Sequence, residues 1–290
     1  MGLLRPYIGI ALFVLLLCDQ IVRAPFIFFS IFSDIQYLLT GFREKNIETA
    51  MHYLSAIEAG QGMRVVFLHE EGGDRHSWRY VAPQLVEYGS VSIIELAHHG
   101  GSTSFKEGYY SVMEESLNIH LREEEEEIVL VASGLGARLA LEAARLEPSK
   151  IEALVLLSPV GIDIRNHDWT ILLPKESAQM QRKTKEVFGE ALPHFWLESL
   201  LNRFKIRDAD FKELQHLSPL DDVLSLVEQP IYVFVGEGDR LTSLDDIAHL
   251  PNGQLYTQPN CGYAVQYACP EGVVSFLQGY LKGNITVPEP

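Results

Sequence analysis

Hydroxyls, imidazoles and carboxylates crowd three short stretches of this 290-residue chain, each directly after an apolar run. The first is Val65-Val66-Phe67-Leu68-His69-Glu70-Glu71-Gly72-Gly73-Asp74, which leads to Ser77-Trp78. The second is Val129-Leu130-Val131-Ala132-Ser133-Gly134-Leu135-Gly136-Ala137. The third is Val235-Gly236-Glu237-Gly238-Asp239, followed by Asn260-Cys261-Gly262-Tyr263. Such a set could supply a hydroxyl nucleophile, a base that titrates near neutral pH, a carboxylate to orient that base, and backbone N–H donors for a developing oxyanion. His69, His98 and His99, with Glu70, Glu71 and Asp74 nearby, could offer a base or metal ligands. They lack ligand spacing, and loop histidines of this kind are more often plain hydrogen-bonded residues. No metal and no cofactor is expected.

These stretches must be positioned by regular elements. Short apolar runs read as strands at Arg64 to Leu68, Val91 to Glu95, Ile128 to Ala132, Ile151 to Leu157, Ile231 to Val235 and Gln254 to Gln258. Helical spacing falls between them at Trp78 to Tyr88, Gly108 to Leu121, Gly136 to Leu146, Ser243 to Leu250 and Glu271 to Leu281. Alternation of this kind predicts an α/β fold, with a mostly parallel sheet covered by helices on both faces and its site at strand ends. From Gly161 to about Gln229 the pattern turns to helix after helix, broken by Pro174, Pro193 and Pro219, and reads as an inserted helical cap. The expected organisation is an N-terminal hydrophobic segment over 1–40, a core over 46–160 and 228–283, a cap over 161–227 and a tail over 284–290.

In order and spacing the motifs resemble the α/β-hydrolase superfamily, whose pattern is a strand ending in His-Gly, a G-x-S-x-G nucleophile elbow, an Asp after a later strand and a Gly-His near the end. Glu58-Ala59-Gly60, the loop from Glu95 to Ser102, and Ser158-Pro159-Val160-Gly161 add to the match, which runs from about Asn46 to Lys282. The hydrophobic leader and Asn260-Cys261-Gly262 make the membrane-anchored monoacylglycerol-lipase-like hydrolases the subfamily that the chain looks most like. The resemblance implies a serine hydrolase, yet the residues at its active positions do not fit one. The nucleophile position holds Gly134, the base position Tyr263, and the glycine after the first histidine (His69) is Glu70; Asp239 alone keeps the family residue. Gly134 offers no hydroxyl, and a tyrosine with an ordinary pKa of about 10 is protonated at pH 7 and cannot shuttle a histidine's proton. A carboxylate at Glu70 would repel the oxyanion.

The expected function is therefore that of a pseudohydrolase that binds a lipid-like ligand or a protein partner; the alternative is an active lipid or ester hydrolase built on a non-standard constellation. Ser133 is the candidate displaced nucleophile, although a register shifted by one puts Val131 and Leu135 where small residues are required. Asp239 is either a retained acid or a turn-former, and Cys261 either a reactive thiol or a small buried side chain. Trp169, Phe195 and Trp196 in the cap are candidate pocket residues, or ordinary cap core.

With 39 acidic and 23 basic residues the formal charge is −16, so nucleic acid is not an expected partner. The membrane is, through the N-terminus. Tyr7 to Cys18 is a run of twelve residues without charge, and Ala24 to Ser33 is a second uncharged run rich in Phe and Ile. Neither reaches the roughly 20 residues of a bilayer span alone, but together they could form a tilted span or two interfacial halves bent near Pro25. An uncleaved anchor and a signal cleaved at Val22-Arg23-Ala24 both stay open, with Pro25 speaking against cleavage. Three cysteines cannot make a disulfide framework, and the sequon Asn284-Ile285-Thr286 would matter only on a lumenal face.

Overall fold

The computed structural model describes residues 25–48, 53–106, 108–160, 212–214, 216–218, 220–242, 244, 247, 250 and 252–285. Long buried runs of Val, Ile and Leu form its central strands: β5 (Arg64–Leu68), β6 (Ser90–Ile94), β7 (Ile128–Ser133), β8 (Ile151–Leu157) and β9 (Ile231–Gly236). Ahead of them come β1 (Arg43–Glu44), β2 (Ile47–Glu48), β3 (Tyr53–Leu54) and β4 (Ala56–Ala59), and β10 (Gly253–Gln258) closes the far edge. Eight of these strands make one sheet in the order β1-β4-β6-β5-β7-β8-β9-β10, and β2 with β3 makes a separate pair. From β6 across to β10 the neighbours are parallel, while β4 is antiparallel to β6 and to β1.

Strand residues alternate between two cores, as a pleated sheet requires. Ile128, Leu130 and Ala132 of β7 face the layer that holds α2 (Tyr109–Glu123) and α3 (Leu135–Leu146). Val129 and Val131 face the opposite layer, with Trp78 and with Val273, Val274 and Phe276 of α6 (Pro270–Leu281). Being buried on both sides is what makes the central strands read as continuous apolar runs. Further helices are α1 (Pro25–Leu39), α4 (Asp221–Leu224) and α5 (Val265–Ala268).

One expectation is corrected, and others fall wholly or partly outside the described residues. The predicted helix over Trp78 to Tyr88 is instead two short 3-10 turns, Arg75–Trp78 and Ala82–Gln84, because Pro83 cannot continue an α-helical ladder. No helix among the described residues is long and apolar enough to cross a membrane. The second apolar run of the N-terminus falls in α1, which has 15 residues, and the run Tyr7 to Cys18 lies outside the described residues. The cap residues Trp169, Phe195 and Trp196 lie outside them as well. Glu213 accepts hydrogen bonds from the backbone N–H groups of Tyr109 and Tyr110, each 2.8 Å, and so caps α2.

Candidate functional site

β7 passes into α3 through a tight turn at Gly134. Gly134 sits there with φ +56° and ψ −123°, a left-handed conformation that disfavours any residue with a Cβ. Its own N–H donates to the carbonyl of Leu157 on β8, and its carbonyl accepts from Ala137, so the turn is held on both sides. The first N–H of α3 beyond it belongs to Leu135. At a helix N-terminus this group is an electropositive donor with no partner inside the helix.

That donor is taken by the protein itself. The carboxylate of Glu71 accepts from Leu135 N at 2.8 Å through one oxygen, and from the Tyr263 hydroxyl at 2.9 Å through the other. Glu71 is 2% exposed and Tyr263 2%. A Cβ added to Gly134 would stand 2.3 Å from the Tyr263 hydroxyl oxygen, 2.7 Å from Glu71 Oε2 and 2.8 Å from Glu70 Cβ. The volume that a side chain at position 134 would need is therefore filled by the Tyr263 hydroxyl and by the Glu71 carboxylate that also takes the helix N-terminus.

Glu70 points to the other side of the same cluster. One carboxylate oxygen accepts from the Ser77 hydroxyl at 2.8 Å and the Tyr267 hydroxyl at 3.4 Å, and the other from the Gln266 side-chain amide at 3.0 Å. The expectation that Glu70 carries the charge facing an oxyanion is thus corrected: the carboxylate on the Leu135 donor is that of Glu71. Burial pushes the Glu70 carboxyl up to about 7, with Glu71 and Asp74 adding to the rise and the Ser77 hydroxyl opposing it. Burial likewise raises Glu71, against the hydrogen bonds from Leu135 and Tyr263 that favour its charged form. Tyr263 is raised well above an ordinary tyrosine, by burial first and by the Glu71 carboxylate second, so it stays a protonated donor.

The imidazoles are committed elsewhere. His69 is fully buried, with Nδ1 2.7 Å from the Glu70 carbonyl and Nε2 accepting from Leu96 N at 3.0 Å. That pattern is the neutral Nδ1–H tautomer in a purely architectural role. His99 places Nδ1 2.9 Å from the Ala97 carbonyl and Nε2 3.0 Å from the Tyr109 hydroxyl. Burial lowers its pKa to about 3, with His69 beside it contributing, so it too is neutral. His98 accepts from Phe105 N at 3.2 Å. Among the described residues no group of three His, Cys, Asp or Glu side chains is arranged to hold a metal ion.

Ser133 is the last residue of β7 and fully buried, and its Oγ has no hydrogen-bond partner among the described residues. Asp239 accepts from Leu241 N at 2.8 Å, Thr242 N at 3.1 Å and Thr242 Oγ1 at 2.6 Å, bonds that cap its own loop, and its charge adds to the rise of Tyr263. Cys261 is neither a lone thiol nor a simple packing residue: it is disulfide-bonded to Cys269, with Cα atoms 6.2 Å apart. The bridge brackets the segment that delivers Tyr263, Gln266 and Tyr267 to the two glutamates. Those three residues stand at i, i+3 and i+4, the spacing that shares one face of a helical turn, and that spacing is the signal by which the sequence could have revealed them. Sequence reasoning assigned no role to Gln266, Tyr267 or Cys269.

Residues 65–276 match the family model for the alpha/beta hydrolase family. The pimeloyl-(acyl-carrier protein) methyl ester esterase of Nitrosomonas europaea is 26% identical over 244 residues, 74% of this chain and 94% of that protein. The enzyme of the same description from Klebsiella pneumoniae subsp. pneumoniae is 23% identical over 137 residues, 47% of this chain and 52% of that protein. This chain thus spans about half the length of the first relatives it matches. Among solved structures, a membrane phospholipase A described as a bacterial virulence factor superposes with a TM-score of 0.75 at 19% identity, over 96% of this chain and 98% of that one. At that identity the likeness speaks for the fold.

Proposed function

The chain belongs to the alpha/beta hydrolase family, and from that premise we propose that it works by binding and not by serine-hydrolase turnover. The observation that carries this reading is the filled elbow. Where a hydrolase of this family presents a serine and an empty oxyanion hole, Gly134 presents no hydroxyl, and the Leu135 N–H is held by Glu71. The family's base position holds the buried phenol of Tyr263, and among the described residues His69 has both ring nitrogens engaged. Removing the nucleophile or the base of a known triad costs on the order of a million-fold in turnover, and here neither is in place. The relatives carry ester-cleaving descriptions, which makes ester hydrolysis the rival activity to test. In the proposed role the domain holds a lipid-like ligand or presents a surface to a partner.

The test is turnover of a panel of short- and long-chain acyl esters by the full-length protein, beside lipid extraction and mass spectrometry of the purified material. The expected result is no hydrolysis above buffer and a co-purifying apolar ligand. Hydrolysis that Ser133→Ala abolishes would replace this reading with an enzyme built on a displaced nucleophile.

A further inference from the structure

The surface of α1 carries an apolar face that nothing among the described residues covers. Its inner side buries Phe29, Ser33 and Tyr37, one every four residues. Phe29 lies under the Arg79 guanidinium at 4.6 Å, the Tyr37 hydroxyl donates to the Arg75 carbonyl at 2.7 Å, and His76 Nε2 lies 3.0 Å from Asp34. The helix is thereby fixed to the body through one side. The opposite side exposes Ile27 (58%), Ile31 (48%), Phe32 (54%), Ile35 (47%), Leu38 (61%) and Leu39 (80%). These are six of the eleven exposed large apolar side chains among the described residues, gathered on one helix. At 100° per residue they fall within an arc of about 140°, and no polar residue of the helix falls inside it.

We propose that this face lies in the interfacial layer of a lipid bilayer, with α1 parallel to the membrane plane. The chain on its N-terminal side supports that occupant. Twenty-four residues precede Pro25, and they include the uncharged run Tyr7 to Cys18, which lies six residues before the helix across the polar Asp19, Gln20 and Arg23. The width of the face argues against a second copy. Helix pairing covers a narrow seam, whereas an arc of about 140° matches one side of a helix sunk to its axis among headgroups and acyl chains. A 15-residue helix is also too short to cross the bilayer but long enough to lie in its surface. With a formal charge of −16 the protein gains little from anionic headgroups, so the attachment is apolar and insensitive to salt.

The geometry also sets which part of the domain adjoins the membrane. Phe29 packs 6.3 Å from the Tyr267 ring, and Tyr267 bonds Ser77 and Glu70. The membrane-facing helix is therefore on the same side of the molecule as the Glu70–Glu71 cluster. This orientation holds whether the site turns over substrate or not.

The experiment uses full-length protein on phosphatidylcholine vesicles. With Cys18→Ser to leave the disulfide pair as the remaining cysteines, single cysteines at Ile31→Cys, Ile35→Cys and Leu38→Cys each carry an environment-sensitive fluorophore. Leu226→Cys, at a site as exposed (58%) but on another part of the surface, is the reference. Lipids with a nitroxide high on the acyl chain are expected to quench the three α1 labels at least about two-fold more than the reference label, at low and high salt alike. Equal quenching at all four sites would overturn the proposal. Unquenched α1 labels that cross-link between molecules would overturn it in favour of a second copy on this face, and unquenched labels without cross-links in favour of cover by residues 1–24.

Discussion

Placing a methyl group at position 134 strikes the site at its most confined point. Gly134→Ala meets two costs. The backbone at φ +56° and ψ −123° is strained for any residue with a Cβ, by about 1–3 kcal/mol. The new Cβ must also displace the Tyr263 hydroxyl at 2.3 Å and Glu71 Oε2 at 2.7 Å, an overpacking cost of about 1–3 kcal/mol in a core that is already close-packed. Tyr263 is 2% exposed and bonded to Glu71, so moving its hydroxyl breaks that bond. The sum is about 2–6 kcal/mol, and at about 2–4 °C per kcal/mol for a domain of this size the thermal midpoint is expected to fall by about 5–20 °C. Tyr263→Phe removes the nearest clashing atom but leaves Glu71 short of a donor, and alone costs about 1–3 kcal/mol. In that background Gly134→Ala is expected to cost at least about 1 kcal/mol less than in the natural protein, a coupling that a double-mutant cycle followed by differential scanning fluorimetry reads directly. An unchanged or raised midpoint for Gly134→Ala, or the same cost in both backgrounds, would refute the filled-elbow geometry.

The buried glutamate gives a pH signature. Because Glu70 titrates near 7 in the folded chain and near 4.5 unfolded, the unfolded chain releases its proton first. Its contribution is complete below about pH 4.5 and is lost as pH rises through 7, by up to about 3 kcal/mol. His99, lowered to about 3, runs the other way between 3 and 6.5, so the Glu70 effect is read as the stability difference between natural protein and Glu70→Gln, which is expected to shrink from pH 4.5 to 8. A difference that does not vary with pH would remove Glu70 from this role. Reducing the Cys261–Cys269 bridge, or replacing both cysteines by Ser, opens a short loop and is expected to cost about 2–3 kcal/mol by chemical denaturation; no loss would mean the bridge does not hold the segment around Tyr263. Gly134→Ser with Tyr263→His is expected to stay unreactive toward a fluorophosphonate until Glu71→Gly frees the Leu135 N–H, and labelling of the two-site variant would contradict the plug.

Legible and hidden features of the sequence divide along physical lines. The strands at Arg64, Ile128, Ile151 and Ile231 were legible because burial on both faces forces unbroken apolar runs, and the turn after Ser133 because small residues are required there. The short strands at Arg43, Ile47 and Tyr53 have two residues each, too few for any period to register. Trp78 to Tyr88 has helical spacing of apolar residues, but Pro83 breaks the ladder that would use it. Glu70 and Glu71 cannot be told apart by position in the chain, since neighbouring side chains leave a loop in directions set by its tertiary partners. The pairing of Cys261 with Cys269 was hidden because three cysteines allow three pairings and spacing selects none of them.

The proposal that this family member does not act as a serine hydrolase, its elbow holding Gly134 and being filled by Tyr263 and Glu71, is tested most directly by incubating the natural full-length protein with a fluorophosphonate probe and mapping any adduct by mass spectrometry. The account predicts no adduct on any serine. A stoichiometric adduct on Ser133 would contradict it.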